Sequence, residues 1–266
     1  MRLTLVQTDI VWGDRDANLA NIENILRNIG GKTDLVVLPE MFTTGFITEP
    51  QGVAEKEETM VTVEWMRKTA RETRTAVAGS VAIETKTDGF RNRFYFVKPA
   101  GEIAFYDKHH LFTYGGEHLM FSAGTDRVIV EWQGWRVLLQ VCYDLRFPVF
   151  SRNHGDYDVA LYVASWPRSR RDAWNVLLQA RAIENQCYVA GLNRVGNDPA
   201  CSYSGDSVIV DPKGQIISKC TGERQQIIEG EIDMEELLTF RRKFPVLADG
   251  DTFVATRDAN KENRGK

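Results

Sequence analysis

Short apolar, β-branched runs recur along the 266-residue chain. They are LTLVQ at 3–7, DLVVL at 34–38, TAVAGSVAI at 75–83, RFYFV at 93–97, RVIVEW at 127–132 and RVLLQV at 136–141. The series continues with DVALYVA at 158–164, CYVAGLNRV at 187–195, SVIVD at 207–211, GQIISK at 214–219 and QQIIEGEI at 225–232. Runs of this length and composition predict strands. Between several of them the period changes. Residues 16–29 place Leu19, Ile22, Ile25, Leu26 and Ile29 on one helical face, and 60–73 and 170–185 are the other clear helical stretches. Strands alternating with helices over the first two-thirds predict an α/β protein, and hairpins near the end predict mixed sheets. Lys98-Pro99-Ala100-Gly101 and Asp211-Pro212-Lys213-Gly214 have turn chemistry: proline presets the first central torsion and glycine tolerates the torsions needed to close the turn. No linker or composition break divides the chain. The expectation is one domain over 1–255, with the polar stretch 256–266 as a frayed tail.

Composition narrows the partners. Lys plus Arg number 33 against 37 Asp plus Glu, a formal net charge of −4, which gives no basic face for nucleic acid. No apolar run approaches the roughly 20 residues of a membrane span, and the first segment reaches Asp9 too soon for a signal-peptide core. The cysteines at 142, 187, 201 and 220 lack paired or CxxC spacing and read as reduced thiols of a cytoplasmic protein.

Candidate chemistry stands where apolar runs stop. DLVVLPE ends in Glu40, IAFYDK in Lys108 and RVLLQV in Cys142. In open α/β sheets the crevice beyond the strand carboxyl ends is where ligands bind. Singly, each residue has a plain reading: a buried thiol, a helix-cap carboxylate, a solvated lysine beside two histidines. Together they have complementary work. A thiol is mostly protonated near neutrality and needs a base, which Glu40 supplies and which later returns the proton to a leaving amine. Lys108, fixed in its charge, suits an oxyanion, aided by the backbone N–H of Tyr143. The chemistry is acyl transfer through a thioester.

LPEMFTTGF, YDKHHLF and CYDLRFP, in this order and at these intervals, resemble the Glu-Lys-Cys signature of the nitrilase superfamily of C–N hydrolases. The similarity runs from LTLVQTDIVWGD through ARAIENQCYVAGLNRVG to SGDSVIVDPKGQII. The resemblance implies a four-layer α-β-β-α sandwich, no metal and no organic cofactor, and puts Glu40, Lys108 and Cys142 in the base, oxyanion-stabilising and nucleophile positions. A second glutamate follows the lysine by eight or nine residues in such proteins, and Glu117 in YGGEHLMFSAG stands there. A salt bridge that anchors a loop would use the same geometry. Family members commonly pair, so a homodimer is expected, through the 170–185 helix and an apolar segment carrying Phe244, Val246, Leu247, Phe253 and Val254.

Tyr143-Asp144 after the cysteine is closer to amidases than to true nitrilases, which typically carry Trp-Glu. CYDLRFP and ALYVASWP most resemble the omega-amidase branch, which hydrolyses the terminal carboxamide of 2-oxo acids such as 2-oxoglutaramate and 2-oxosuccinamate. Such a substrate needs a cation for its carboxylate, and a guanidinium grips a carboxylate through two parallel hydrogen bonds. Arg146 is the candidate, with pairing to Asp144 as its alternative. Trp166, Phe42 and Thr44 stand beside strand ends and are candidate pocket walls. Arg181 and Glu184 read as a helix face packing across a sheet, outside the catalytic set. His109-His110, His118 and His154 show no metal-ligand spacing, and no GxSxG elbow is present. Open alternatives are a related amidase for deaminated glutathione or an N-carbamoyl amino acid, and a non-catalytic scaffold of the same fold.

Overall fold

The computed structural model of the chain describes residues 1–27 and 32–252. Ile29, Phe253, Val254 and the tail from Thr256 lie outside the described residues. In chain order the elements are β1 (Arg2–Gln7), α1 (Arg15–Leu26), β2 (Leu35–Val37), β3 (Glu55–Lys56), α2 (Val61–Thr73), β4 (Ala76–Glu84), β5 (Phe90–Val97), β6 (Ile103–Asp107) and α3 (Glu117–Met120). Then come β7 (Ile129–Trp132), β8 (Trp135–Val141), β9 (Val159–Ala164), α4 (Arg171–Asn185), β10 (Tyr188–Asn193), β11 (Val195–Asn197), β12 (Ser202–Ser204), β13 (Val208–Val210), β14 (Ile216–Lys219), β15 (Gln226–Glu231) and α5 (Met234–Lys243).

Among the described residues the strands form two large sheets. One has the order β15-β1-β2-β4-β5-β6, with β3 beside β4; the other runs β14-β13-β10-β9-β8-β7. Both have the same plan. The central strands are parallel (β1-β2-β4 and β8-β9-β10), and antiparallel partners flank them. Lys98–Gly101 and Asp211–Gly214 close the hairpins β5-β6 and β13-β14.

Apolar patterning explains the layers. β4 and β9 are covered on both faces, which is why they read as continuous apolar runs instead of alternating ones. Leu3, Leu5, Val37 and Phe96 of one sheet share a core with Leu139, Val141 and Leu161 of the other. On the far side of the first sheet, Leu19, Ile22 and Leu26 of α1 and Val63, Met66 and Ala70 of α2 pack on Val6, Val36 and Val77. Trp174, Leu178 and Ala182 of α4 cover the second sheet. The result is the four-layer α-β-β-α sandwich that the resemblance implied.

Two helices escaped the sequence reading. α3 is a single turn. α5 carried its own signals, since Asp233 caps it by accepting from the Glu236 N–H at 2.9 Å and Arg241, Arg242 and Lys243 close its last turn. The run 187–195 breaks after Asn193, and Val195 starts the separate ribbon β11-β12. Arg170 lies in a 3-10 turn before α4.

Face-to-face stacking also brings strand ends together. The carboxyl ends of β2 in one sheet and of β8 and β9 in the other carry Glu40, Cys142 and Ser165 to one place.

Candidate active site

Glu40, Lys108 and Glu117 are all fully buried, at 0%, 1% and 0% exposure. Lys108 Nζ lies 2.9 Å from Glu40 Oε1 and 2.9 Å from Glu117 Oε2. Two carboxylates around one ammonium leave an extra buried negative charge, which has to be offset by neutral donors. They are present. Asn92 Nδ2 donates to Glu40 at 2.8 Å and to Glu117 at 3.2 Å, the Ser165 N–H donates to Glu40 Oε2 at 2.8 Å, and the Phe112 N–H donates to Glu117 Oε2 at 2.6 Å. Ser80 Oγ donates to Asn92 Oδ1 at 2.9 Å, which fixes the orientation of the amide. Burial alone would lower the Lys108 pKa, but Glu117 and Glu40 outweigh it and hold the group well above its ordinary value, so it stays charged. Burial pushes Glu117 up, with Lys108 pulling the other way.

Cys142 opens a 3-10 turn, Cys142–Arg146, at the end of β8. Its φ is 45°, in the left-handed region that costs a non-glycine residue about 1 kcal/mol or more. The turn is held from two sides. Asp144, fully buried, accepts from Tyr106 Oη at 2.8 Å, from the Val141 N–H at 2.9 Å and from the His110 N–H at 3.0 Å, and its Oδ1 lies 2.8 Å from His110 Nδ1. From behind, Arg181 Nη2 donates to the Leu145 carbonyl at 2.5 Å. Burial raises the Cys142 thiol well above the usual cysteine value, and the facing Glu40 charge adds to this while Lys108 opposes it. The resting arrangement is therefore a protonated thiol beside a carboxylate that can take its proton, with a permanent cation at hand.

Cys142 lines a cavity of about 990 Å³ together with Tyr143, Arg146, Trp166, Arg170 and Phe112 among others. Of the expected pocket residues, Tyr143, Arg146 and Trp166 line this cavity. Phe42 and Thr44 do not. Met41 has φ 44° and turns the chain back, so Phe42 is buried against Trp65 and Gly79 on the α2 side of the sheet. Thr44 is buried as well and faces a separate depression beside Thr43 and Glu55. Nor does Arg146 pair with Asp144, whose oxygens are taken by Tyr106, Val141 and His110. Arg146 is exposed to the cavity, with its guanidinium 5.0 Å from the Trp166 ring centre.

Asn92, Ser165 and Arg181 are the contributors that the sequence reading missed or set aside. Asn92 carried a weak signal, a polar residue immediately before the run 93–97. Arg181 does face a sheet, but its guanidinium ends on the Cys142–Arg146 turn, at the Leu145 carbonyl. It touches none of the three reactive side chains.

The carbon-nitrogen hydrolase family matches residues 2–242. The chain is 49% identical over 254 residues to the omega-amidase YafV of Escherichia coli, covering 95% of this chain and 98% of that protein. It is 35% identical to the 2-oxoglutaramate amidase of Bacillus subtilis, covering 93% and 96%. Its fold matches the crystal structure of XC1258 from Xanthomonas campestris, a CN-hydrolase superfamily protein with an arsenic adduct in the active site, with a TM-score of 0.92 and 43% identity over 96% of this chain and 99% of that one.

Proposed function

Because the chain belongs to the carbon-nitrogen hydrolase family, we propose that it is an omega-amidase, which releases ammonia from the terminal carboxamide of small 2-oxo acid amides such as 2-oxoglutaramate. Cys142 attacks the amide carbonyl while Glu40 takes the thiol proton. Lys108 and the Tyr143 N–H hold the oxyanion. Collapse of this intermediate breaks the C–N bond, and Glu40 gives its proton to the departing ammonia. Water, deprotonated by Glu40, then attacks the thioester, and as the C–S bond breaks Glu40 returns that proton to the Cys142 sulfur and the acid leaves. Glu117 holds Lys108 in place, and Arg146 takes the carboxylate of the substrate. The observation that carries this reading is the fully buried Glu40-Lys108-Glu117 cluster behind Cys142, which lines a cavity together with Arg146, an arginine that makes no ion pair among the described residues.

The reading extends to residues 1–255 as one hydrolase unit, supported by the core that the two sheets share. The thiol chemistry suits a cytoplasmic setting, and no helix among the described residues is long and apolar enough to cross a membrane. Pairing of two copies is supported by Val176 and Ile183 on the outer face of α4, 65% and 53% exposed, and by Phe244 at 59%.

The test is ammonia release from 2-oxoglutaramate against a panel of N-carbamoyl amino acids, deaminated glutathione and simple amides. Mass spectrometry of enzyme quenched during turnover should show the acyl group on Cys142. Preference for another panel member would change the substrate; an adduct on another cysteine would refute the mechanism.

A further inference from the structure

The turn that leads into α4 carries three arginines with different fates. Arg168 pairs with Glu223 at 2.8 Å, and Arg171 pairs with Asp206 at 2.6 Å. Arg170, between them, is half-buried and makes no ion pair among the described residues. Its guanidinium lies 5.2 Å from the Phe112 ring centre and 5.7 Å from that of Tyr114, in the wall of the cavity that holds Cys142 and Arg146. Its backbone is fixed, because the Trp166 indole N–H donates to the Arg170 carbonyl at 2.8 Å. Trp166 also lies under the Arg146 guanidinium, so one indole contacts both the Arg146 side chain and the Arg170 backbone, and both arginines line the same cavity.

Carboxylates on this wall leave Arg170 available. Asp198 accepts from the Tyr203 hydroxyl and from the N–H groups of Ala200 and Cys201, and Glu49 is exposed. A guanidinium stacked on aromatic faces keeps its N–H edge for a planar anion. The cavity, about 990 Å³, is at the upper end of the roughly 300–1,000 Å³ that holds drug-sized ligands, so a five-carbon acid at Arg146 does not fill it.

From this juxtaposition we infer that Arg170 forms an outer carboxylate-binding position, which draws carboxylate-bearing amides toward Arg146 and Cys142 and sets a preference for anionic over neutral amides through KM. The inference rests on the omega-amidase reading and adds to it a second cation with a different task. Arg146 holds the bound substrate during chemistry; Arg170 acts on capture. A charge at the rim of a site changes association and its salt dependence more than the bound-state chemistry.

The experiment is steady-state kinetics of the wild type, Arg170→Met and Arg170→Lys with 2-oxoglutaramate and with hexanamide, at low and at high sodium chloride. Methionine keeps the packing on Phe112 and Tyr114 without the charge. It should raise KM for 2-oxoglutaramate about five-fold or more at low salt, with kcat within about two-fold and hexanamide unchanged. High salt should shrink the gap between wild type and variant, and lysine should recover most of the loss. Equal KM changes for the two amides, a fall in kcat alone, or no change would overturn the inference. Wild-type enzyme that ignores 2-oxoglutaramate while hydrolysing other amides would overturn the omega-amidase reading instead, and the charged and neutral amides that it does accept would then test Arg170.

Discussion

Replacing Glu40 by glutamine removes one charge from the buried cluster while nearly keeping its shape, and two readouts should move in opposite directions. The glutamine oxygen can still accept from Lys108 and Asn92, but its NH₂ then meets the Ser165 N–H that the carboxylate now accepts at 2.8 Å. Losing that charged hydrogen bond costs about 1.5–3 kcal/mol. Glu117 simultaneously loses a like-charged neighbour, which offsets part of the cost, so the variant should stay folded with a modestly lower Tm. Amide turnover should fall by at least ~100-fold, the usual contribution of a general base. The thiol should respond the other way. Unit charges roughly 4 Å apart at an effective dielectric of about 20 interact by about 4 kcal/mol, and even a third of that is about one pKa unit, or ten-fold in thiolate. With the Glu40 charge gone and Lys108 remaining, the Cys142 thiol should ionise at lower pH. The assay is the rate of iodoacetamide alkylation against pH, mapped to the peptide that carries Cys142. Cys187 and Cys220 are each pushed up to about 12 by burial, and Cys201 on the cavity wall is replaced by serine in both proteins to remove its signal. The midpoint for Cys142 should drop by about one unit or more in the glutamine variant. A midpoint that stays put or rises while turnover collapses would show that Glu40 does not face the thiol as a charge, and the base assignment would have to go.

Three further outcomes are expected. Arg146→Lys should lower kcat/KM for 2-oxo acid amides by at least ~30-fold, because an ammonium lacks the two-pronged geometry, and should spare a neutral amide; equal losses would make Arg146 structural. Asn92→Ala removes two donors to buried carboxylates and should cost about 2–4 kcal/mol of stability in urea unfolding, together with at least ten-fold in kcat; a neutral effect would mean that water replaces the amide. Light scattering at micromolar concentration should give a dimer mass, and Val176→Glu with Ile183→Glu should convert it to monomer; a wild-type monomer would refute the pairing.

The reactive trio was legible because each member stands where an apolar run stops, and a strand end is a place that composition alone can locate. What supports the trio was not legible. Asn92, Ser165 and Arg181 are separated from Glu40 and Leu145 by long stretches of chain, and each looks like an ordinary residue of a strand, loop or helix until the strands of one sheet pair (Asn92), the two sheets stack (Ser165) and α4 covers its sheet (Arg181). Phe42 and Thr44 went astray for a local reason. Proximity to Glu40 suggested the pocket, but one left-handed residue at Met41 reversed the direction of the next side chains, and such a torsion has no signature in a methionine. Asp144 lay inside the motif from the start, and nearness in sequence offered Arg146 as its partner only as the alternative to substrate binding. Its partners are the Val141 N–H beside it and, across the interface between the sheets, Tyr106 of β6 and His110 in the loop that follows.

The pairing of β1 with β15, in register from Arg2↔Glu231 to Gln7↔Gln226, has a consequence for how the molecule is made. During translation β1 leaves the ribosome long before its antiparallel neighbour exists, and one of its edges stays open until the last strand arrives. A buried strand with an open edge invites wrong partners, and contacts this distant in sequence form slowly. β2, which delivers Glu40, rests on β1. Glu40 is therefore carried by a sheet that is completed only late in synthesis. A ribosome that stalls before β15 would leave a nascent chain with an unfinished sheet and an exposed template for aggregation, a natural client for chaperones.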